Sequence, residues 1–380
     1  MDEQMTERLT RLVAGHGLKR RPAVELDGVG SEPPGEADWL LLRSRLLSAR
    51  LTGLAVAAAA EGVLSLTQEQ EAELLEQQRA RMARALVLER TLLTVTAELE
   101  RAAIPVLALK GSSFAHTAYP DPSWRDFDDV DLLVPTNDFA RAGRVLVEAG
   151  CNATTVAPRP GFVERFGKAG VFRKDVFEID LHRTLMLGPY SIWVDAERLF
   201  AERSTFPLGG RRISCLSPEL RFIHACMHAI LGANPPLLLP LRDVAEIDRA
   251  GDIDMDAMAR DARTWRLESV IALAAKEVRE RLDVEPGPIL SAFDTVRPSR
   301  LERKAVRAYL EVGHSGGRTS SSMIRVLPGV RPKLAYLRAI VLPDEDFLVR
   351  HTGGSGSKWR GYARRWRQLF RTFRNRRRGV

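Results

Sequence analysis

Apolar residues along this chain switch between two spacings, and the switches mark out its elements. From Ile104 to Leu109 they run unbroken into Lys110-Gly111-Ser112-Ser113, which predicts a strand ending in a glycine turn that reopens as a helix. At Asp129-Val130-Asp131-Leu132-Leu133-Val134 the period is two. Val130, Leu132 and Val134 then share one face of a strand, and Asp129 and Asp131 project together from the other. Val171-Phe172, a turn at Arg173-Lys174-Asp175 and the run Val176 to Leu181 predict a hairpin. Its second strand sets Phe177, Ile179 and Leu181 on one face and Glu178, Asp180 and His182 on the other.

Around these strands the period is helical. Residues 38–61 read as one Leu- and Ala-rich helix. Thr67 and Gln70 stand three apart, the Thr-x-x-Gln form of a capping box, and open a long helix over Glu69 to Ala103. Its stripe Leu75, Met82, Leu86, Leu93 and Ala97 is expected to cover one face of the sheet. Asn137 to Ala149 predicts a helix closed by Gly150. From Ser217-Pro218-Glu219, a helix start with proline in the first turn, the pattern is helical: to Leu231, then Leu241 to Ala250, Met255 to Trp265, Leu267 to Leu282 and Arg300 to Val312. Pro286 to Pro298 reads as a breaker-rich connection. The sequences GVGSEPPGEAD, GHSGGRTSSS (313–322) and GGSGS (353–357) read as linkers. The expected organisation is a flexible segment 1–36, a helical cover 37–103, a core 104–215, a helical region 216–312, a linker-rich stretch 313–357 and a tail 358–380.

Composition narrows the class. A chain of 380 residues with 45% hydrophobic and 28% charged content can bury one large or two modest cores. Three cysteines without a CxxC pair predict buried thiols and a reducing, cytoplasmic setting. The charged N-terminus lacks a signal-peptide pattern, and the longest apolar stretch, near Leu51 to Leu64, is too short and interrupted to span a bilayer. Net charge is +8, but residues 358–380 hold ten Lys or Arg and no Asp or Glu, so the remainder is near neutral. In that tail Trp359, Tyr362, Trp366, Leu369, Phe370 and Phe373 recur at three- and four-residue steps between arginines. The resulting amphipathic helix suits an anionic membrane surface, nucleic acid or the protein's own surface, and periodicity does not separate the three.

A strand, glycine turn and helix start leaves backbone N–H groups facing outward, where a phosphate can approach Gly111 without meeting a Cβ, and Lys110 adds positive charge. The paired carboxylates of Asp129 and Asp131 repel each other unless a cation lies between them, and a hard, oxygen-seeking ion such as Mg2+ answers that. The bland reading is two solvated charges at a sheet edge.

These motifs resemble the nucleotidyltransferases of the DNA polymerase β-like superfamily. They are most similar to the bacterial family usually labelled uncharacterised nucleotidyltransferase: Leu109-Lys110-Gly111, Tyr119-Pro120, Arg125, Asp129 to Val134, Glu178-Ile179-Asp180-Leu181-His182, the helix with His224 and His228, and Leu241-Arg242-Asp243-Val244. The resemblance spans residues 75–250. The stretch from Gly111 to Asp129, with Pro120, Pro122 and Trp124, is longer than in classical superfamily members. It implies an α/β fold, a mixed sheet flanked by helices with helical regions at both ends. It also implies an ATP- or other NTP-binding, Mg2+-dependent transferase acting on an acceptor the sequence does not identify. Asp129, Asp131 and Asp180 are the implied metal-binding and catalytic residues, with Lys110, Gly111, Ser112, Arg125 and His182 around the nucleotide. Alternatives stand beside several of these. Glu178 shares the face of Asp180; His182 either lines the site or hydrogen-bonds an aspartate; Arg125 either holds a phosphate or pairs with Asp126 or Asp128. His224 and His228 lack the Glu and third ligand of a zinc protease and read as core or site-lining residues. The rival from another class is a nucleotide-binding or membrane-surface scaffold without turnover.

Overall fold

A computed structural model describes residues 3–21, 29–310, 324, 327, 329–352, 359 and 361–367. Its centre is a mixed sheet of β1 (Leu107–Ala108), β2 (Asp129–Leu133), β3 (Asn152–Ala153), β4 (Ala169–Lys174), β5 (Phe177–His182), β6 (Arg203–Leu208) and β7 (Arg211–Leu216). The strand order is β3-β4-β5-β2-β1-β7-β6. β2 runs parallel to β5 and antiparallel to β1, and β1 runs parallel to β7. The predicted strand over 104–109 shrinks to Leu107–Ala108. Pro105 has no N–H to give a ladder, and Lys110, at φ 30°, turns the chain away at the other end.

The helices are α1 (Glu3–Ala14), α2 (Glu36–Ser48), α3 (Thr52–Ala60), α4 (Gln68–Arg101), α5 (Lys110–Thr117), α6 (Phe139–Glu148), α7 (Phe162–Phe166), α8 (Tyr190–Trp193) and α9 (Ala196–Ala201). After the sheet come α10 (Pro218–Gly232), α11 (Leu238–Ala250), α12 (Met255–Thr264), α13 (Glu268–Arg281), α14 (Pro288–Ala292) and α15 (Arg300–Leu310). Both halves of the capping box at Thr67 and Gln70 are formed. Four expectations are corrected. Residues 3–14 of the expected flexible segment form a helix that buries Leu9, Leu12 and Val13. The single helix over 38–61 is two, broken where Arg50 takes φ 58°. The connection 286–298 contains the short α14, whose N–H groups at Ile289 and Leu290 are capped by Asp248. The fourth concerns α4. Leu75, Met82 and Leu86 of its expected buried stripe are exposed, and Leu74, Leu88, Leu92, Val95 and Leu99 are buried instead.

Two cores flank the sheet. On one side Leu88, Leu92, Val95 and Leu99 of α4 and Phe139, Ala142 and Leu146 of α6 pack on Ala108, Val130, Leu132, Ile179 and Leu181. On the other, Leu107, Leu109 and Leu133 enter a larger core that α1–α3 share with α10–α15. Of the predicted helical cover, α4 alone packs on the sheet through that first core, while α2 and α3 join the C-terminal helices. Gly53 lets α3 close on the segment before β2, since a Cβ there would meet the Ser123 carbonyl oxygen at 2.0 Å. The three cysteines are free and buried.

The linkers 313–322 and 353–357 lie outside the described residues, as do 368–380. Within 313–357 the helices Val330–Val341 and Glu345–Thr352 are formed. The described tail residues rest on them: Tyr362 donates to the Pro343 carbonyl (2.9 Å), Trp366 Nε1 to that of Val341 (2.9 Å), and the Arg365 guanidinium lies over Phe347. No described helix is long and apolar enough to cross a membrane.

Candidate active site

The turn after β1 is shaped by backbone geometry and held from behind. Leu109 N–H extends the ladder by donating to the Asp131 carbonyl (2.9 Å). Gly111 then takes φ 36° and ψ −121°, outside the range side chains tolerate, and α5 begins. Behind it Glu89 of α4 accepts from the Ser112 hydroxyl (3.2 Å) and bonds His116 Nε2 (2.6 Å), while His116 stacks on Phe206. The Ser112 hydroxyl therefore faces α4, which leaves only its backbone for an anion.

In front of the turn, strand register puts the acids together. Asp131 of β2 lies opposite Asp180 of β5, Asp129 opposite Glu178, and Leu133 opposite His182. Asp131 is buried, and its Oδ1 accepts from Lys110 Nζ (2.9 Å) and His182 Nε2 (2.8 Å). Although burial alone would raise its pKa, these two donors hold Asp131 well below the usual carboxylate range. Its neighbours move the other way. Burial and then the charge of Asp131 raise Asp129, and burial followed by Asp131 and Asp129 pushes Asp180 up to about 6. His182 is pushed down to about 4 by burial and by Lys168, so it is a neutral donor to Asp131 and its buried Nδ1 has no hydrogen-bond partner. Glu178, the other acid considered on that face, is exposed and pairs with Arg173 at 2.9 Å.

Ligand atoms of Asp131, Asp180 and His182 lie within 4.8 Å of one another. Three carboxylates, Asp129, Asp131 and Asp180, face two lysines, Lys110 and Lys168, and burial followed by mutual repulsion raises Asp129 and Asp180. That shortage of positive charge is what a divalent, oxygen-binding cation relieves, so the residues present fit one.

Lys168, between α7 and β4, is the participant that sequence reasoning missed. It is half-buried, and burial and the like charge of Lys110 lower its pKa while Asp131, Asp180 and Asp129 oppose the shift. It stands in no motif and its one neighbouring signal is the start of a strand. His224 and His228, four apart on α10, are held well below the usual histidine range by burial and by Lys110. His224 sits edge-on to Phe114 and His228 lines the cleft, which matches the core and site-lining reading.

The carboxylate partner of Arg125 is neither Asp126 nor Asp128. It makes a buried bidentate pair with Asp243 of α11, with Nε and Nη2 each at 2.8 Å, and Tyr119 donates to the same carboxylate at 2.8 Å. Asp126 and Asp128 instead belong to Arg81, Arg84 and Arg50. The three motif residues Tyr119, Arg125 and Asp243 thus form one bolt between the segment before β2 and the helical region.

A cleft of about 540 Å³ opens over the turn. Lys110, Gly111, Arg125, Asp129 and Asp131 line one wall. His228, the segment Pro235 to Pro240, Arg45 of α2, Arg50 of the break after it and Arg281 of α13 line the others. The volume suits a small-molecule ligand. Its charged side chains beside the apolar segment Leu237 to Leu239 suit an anion joined to a less polar group.

The profile of the family described as uncharacterised nucleotidyltransferase matches residues 35–283. A search of curated proteins finds no match. Two solved structures are similar at low scores. The antibiotic-resistance factor ANT(2'')-Ia has 14% identity over 50% of this chain and 96% of that one, with a TM-score of 0.34. An antigenic nucleotidyltransferase-like protein from Paracoccidioides brasiliensis has 14% identity over 53% and 94%, with a TM-score of 0.32.

Proposed function

The chain belongs to the uncharacterised nucleotidyltransferase family, and from that premise we propose that it transfers a nucleoside monophosphate from ATP or another NTP to an acceptor, a small molecule in keeping with the volume of the cleft. The observation that carries this reading is the register of Asp131 against Asp180 on adjacent parallel strands, beside a glycine turn that lines the same cleft as Asp129 and Asp131. In this reading Asp129, Asp131 and Asp180 hold Mg2+. Once bound, the ion supplies charge neutralisation and orientation at the phosphates.

The remaining roles fall to the chain's own groups. An acceptor oxygen or nitrogen forms a bond to the α-phosphorus while the bond from that phosphorus to the bridging oxygen breaks, and pyrophosphate leaves with the electron pair. The acceptor's proton passes to the Asp180 carboxylate, which lies opposite Asp131 on the neighbouring strand. Lys110 and the Gly111 backbone face the departing phosphates. His182 donates to Asp131 and so fixes the orientation of that carboxylate.

The test uses the full chain, NTP labelled at the α-phosphate, Mg2+ and a cell extract as the source of acceptor. Wild type is expected to yield a labelled product, and Asp129→Asn, shown folded by circular dichroism and thermal melting, none. Equal product from the variant would defeat the assignment of Asp129. NTP binding by wild type without product in any extract would favour the scaffold reading.

A further inference from the structure

The helices beyond α15 build a surface that nucleotidyl transfer does not use. Val330, Leu334, Leu337 and Val341 recur at steps of four, three and four along the helix Val330–Val341, and all four are exposed, Val330 by 71% and Leu334 by 59%. This is a second apolar face, since the first is already used: Tyr336 is buried against Phe162 and Phe166 of α7.

The described tail extends the stripe. Trp366 is anchored on the Val341 carbonyl, and the rings of Trp359, Tyr362 and Trp366 follow one another at centroid distances of 6.3 and 6.0 Å. Trp359 is 76% exposed. Arg331, Arg338, Arg364 and Arg367 are exposed on the same two helical segments. Across residues 324–380 there are fifteen Lys or Arg and three Asp or Glu, the three acids being consecutive at Asp344, Glu345 and Asp346.

We propose that this face docks on an anionic bilayer surface, with Val330, Leu334, Leu337 and the indoles seated at the acyl-chain boundary and the arginines at the headgroup phosphates. Charge selects this occupant. A second copy would bring the same cationic excess against itself, and nucleic acid would leave the aliphatic stripe in water. A bilayer carrying acidic lipid satisfies both halves, and tryptophan at the interface adds to each. The proposal is independent of the transfer reaction.

The experiment is sedimentation of the full chain with phosphatidylcholine vesicles made with and without phosphatidylglycerol, at low and high salt. Expected is sedimentation with the anionic vesicles that weakens in salt. The double substitution Leu334→Asp, Leu337→Asp, at exposed positions and with an unchanged melting temperature, should lower that partitioning by about tenfold or more. Absence of wild-type sedimentation overturns the proposal. So does sedimentation that the double variant leaves unchanged. Light scattering without lipid supplies the last arm: a wild-type dimer that the double variant makes monomeric would assign the stripe to a second copy and overturn the membrane docking.

Discussion

The guanidinium of Arg125 grips both carboxylate oxygens of Asp243 across 118 residues of sequence, with each contact at 2.8 Å and both side chains buried. The pair ties the segment leading into the acid-bearing strand to the helices that wall the other side of the cleft. Its guanidinium is held above the ordinary arginine range because the field of Asp243 outweighs the cost of burial. Breaking one partner leaves an uncompensated buried charge, so Asp243→Ala and Arg125→Ala are each expected to cost about 3–5 kcal/mol. Replacing both, Arg125→Met with Asp243→Leu, should cost less than either single change. Urea unfolding of the three variants measures this.

Asp180 gives a pH signature that needs no substrate. Its folded pKa of about 6 lies above the ordinary aspartate value, so the folded state binds the proton more tightly than the unfolded chain does. Stability from this group is therefore fully present below about 4 and is lost as pH rises through about 6. At pH 7 the Asp180→Asn variant, relieved of repulsion from Asp131 and Asp129, should be more stable than wild type. The gap should close as pH falls toward 4. Thermal melts of both proteins in chelator across that window test the sign. A gap that widens on acidification would mean that Asp180 is not crowded by its neighbours.

What the sequence disclosed, and what it withheld, follows from the range of the interactions. The acids of β2 and β5 were legible because a period of two states which side chains share a face, and parallel register did the rest for Asp131 and Asp180. The mixed sheet with helical flanks was implied by the family resemblance that these motifs carry. The face of α4 was not legible. That helix carries apolar residues on more than one side, and only its tertiary neighbours decide that Leu74 and Leu88 are buried while Leu75 and Leu86 are not. The core shared by α1–α3 and α10–α15 consists of contacts distant in sequence, which no local pattern encodes. Ser112 lies in the glycine turn and Arg125 lines the cleft beside it. Their side chains are engaged by Glu89 and Asp243, partners distant from them in sequence.

Lys168 offers a prediction no motif would have prompted. Its charge faces the same three carboxylates as Lys110 and faces Lys110 itself. If it supplies the second positive charge near the phosphates, Lys168→Met should weaken NTP binding by about tenfold, which corresponds to about 1.4 kcal/mol. Folding should be retained, since its carbonyl, which accepts from Arg183 N–H at 3.0 Å, is kept. Titration with a non-hydrolysable NTP measures the effect, and Lys168→Arg should restore most of it. Equal affinity in wild type and Lys168→Met would place the lysine outside the nucleotide site.

Two alanine substitutions at glycine should fail in opposite ways. At Gly111 an added Cβ has room, its nearest contacts being 3.7 Å away, but φ of 36° with ψ of −121° is strained for alanine and costs about 1–3 kcal/mol. The Cβ also stands on the surface that a phosphate is proposed to approach. Gly111→Ala should therefore remain folded and lose transfer far more than stability. At Gly53 no positive φ is involved, yet the Cβ would lie 2.0 Å from the Ser123 carbonyl oxygen and 2.9 Å from the Trp124 Cα. Backbone cannot move aside as a flexible side chain does, so α3 must separate from the segment that carries Arg125 toward β2. Gly53→Ala is expected to lose stability by more than about 2 kcal/mol, with transfer by the remaining folded fraction little changed. Urea midpoints and specific activity per folded molecule, measured on both variants, separate a glycine needed for chemistry from one needed for close approach.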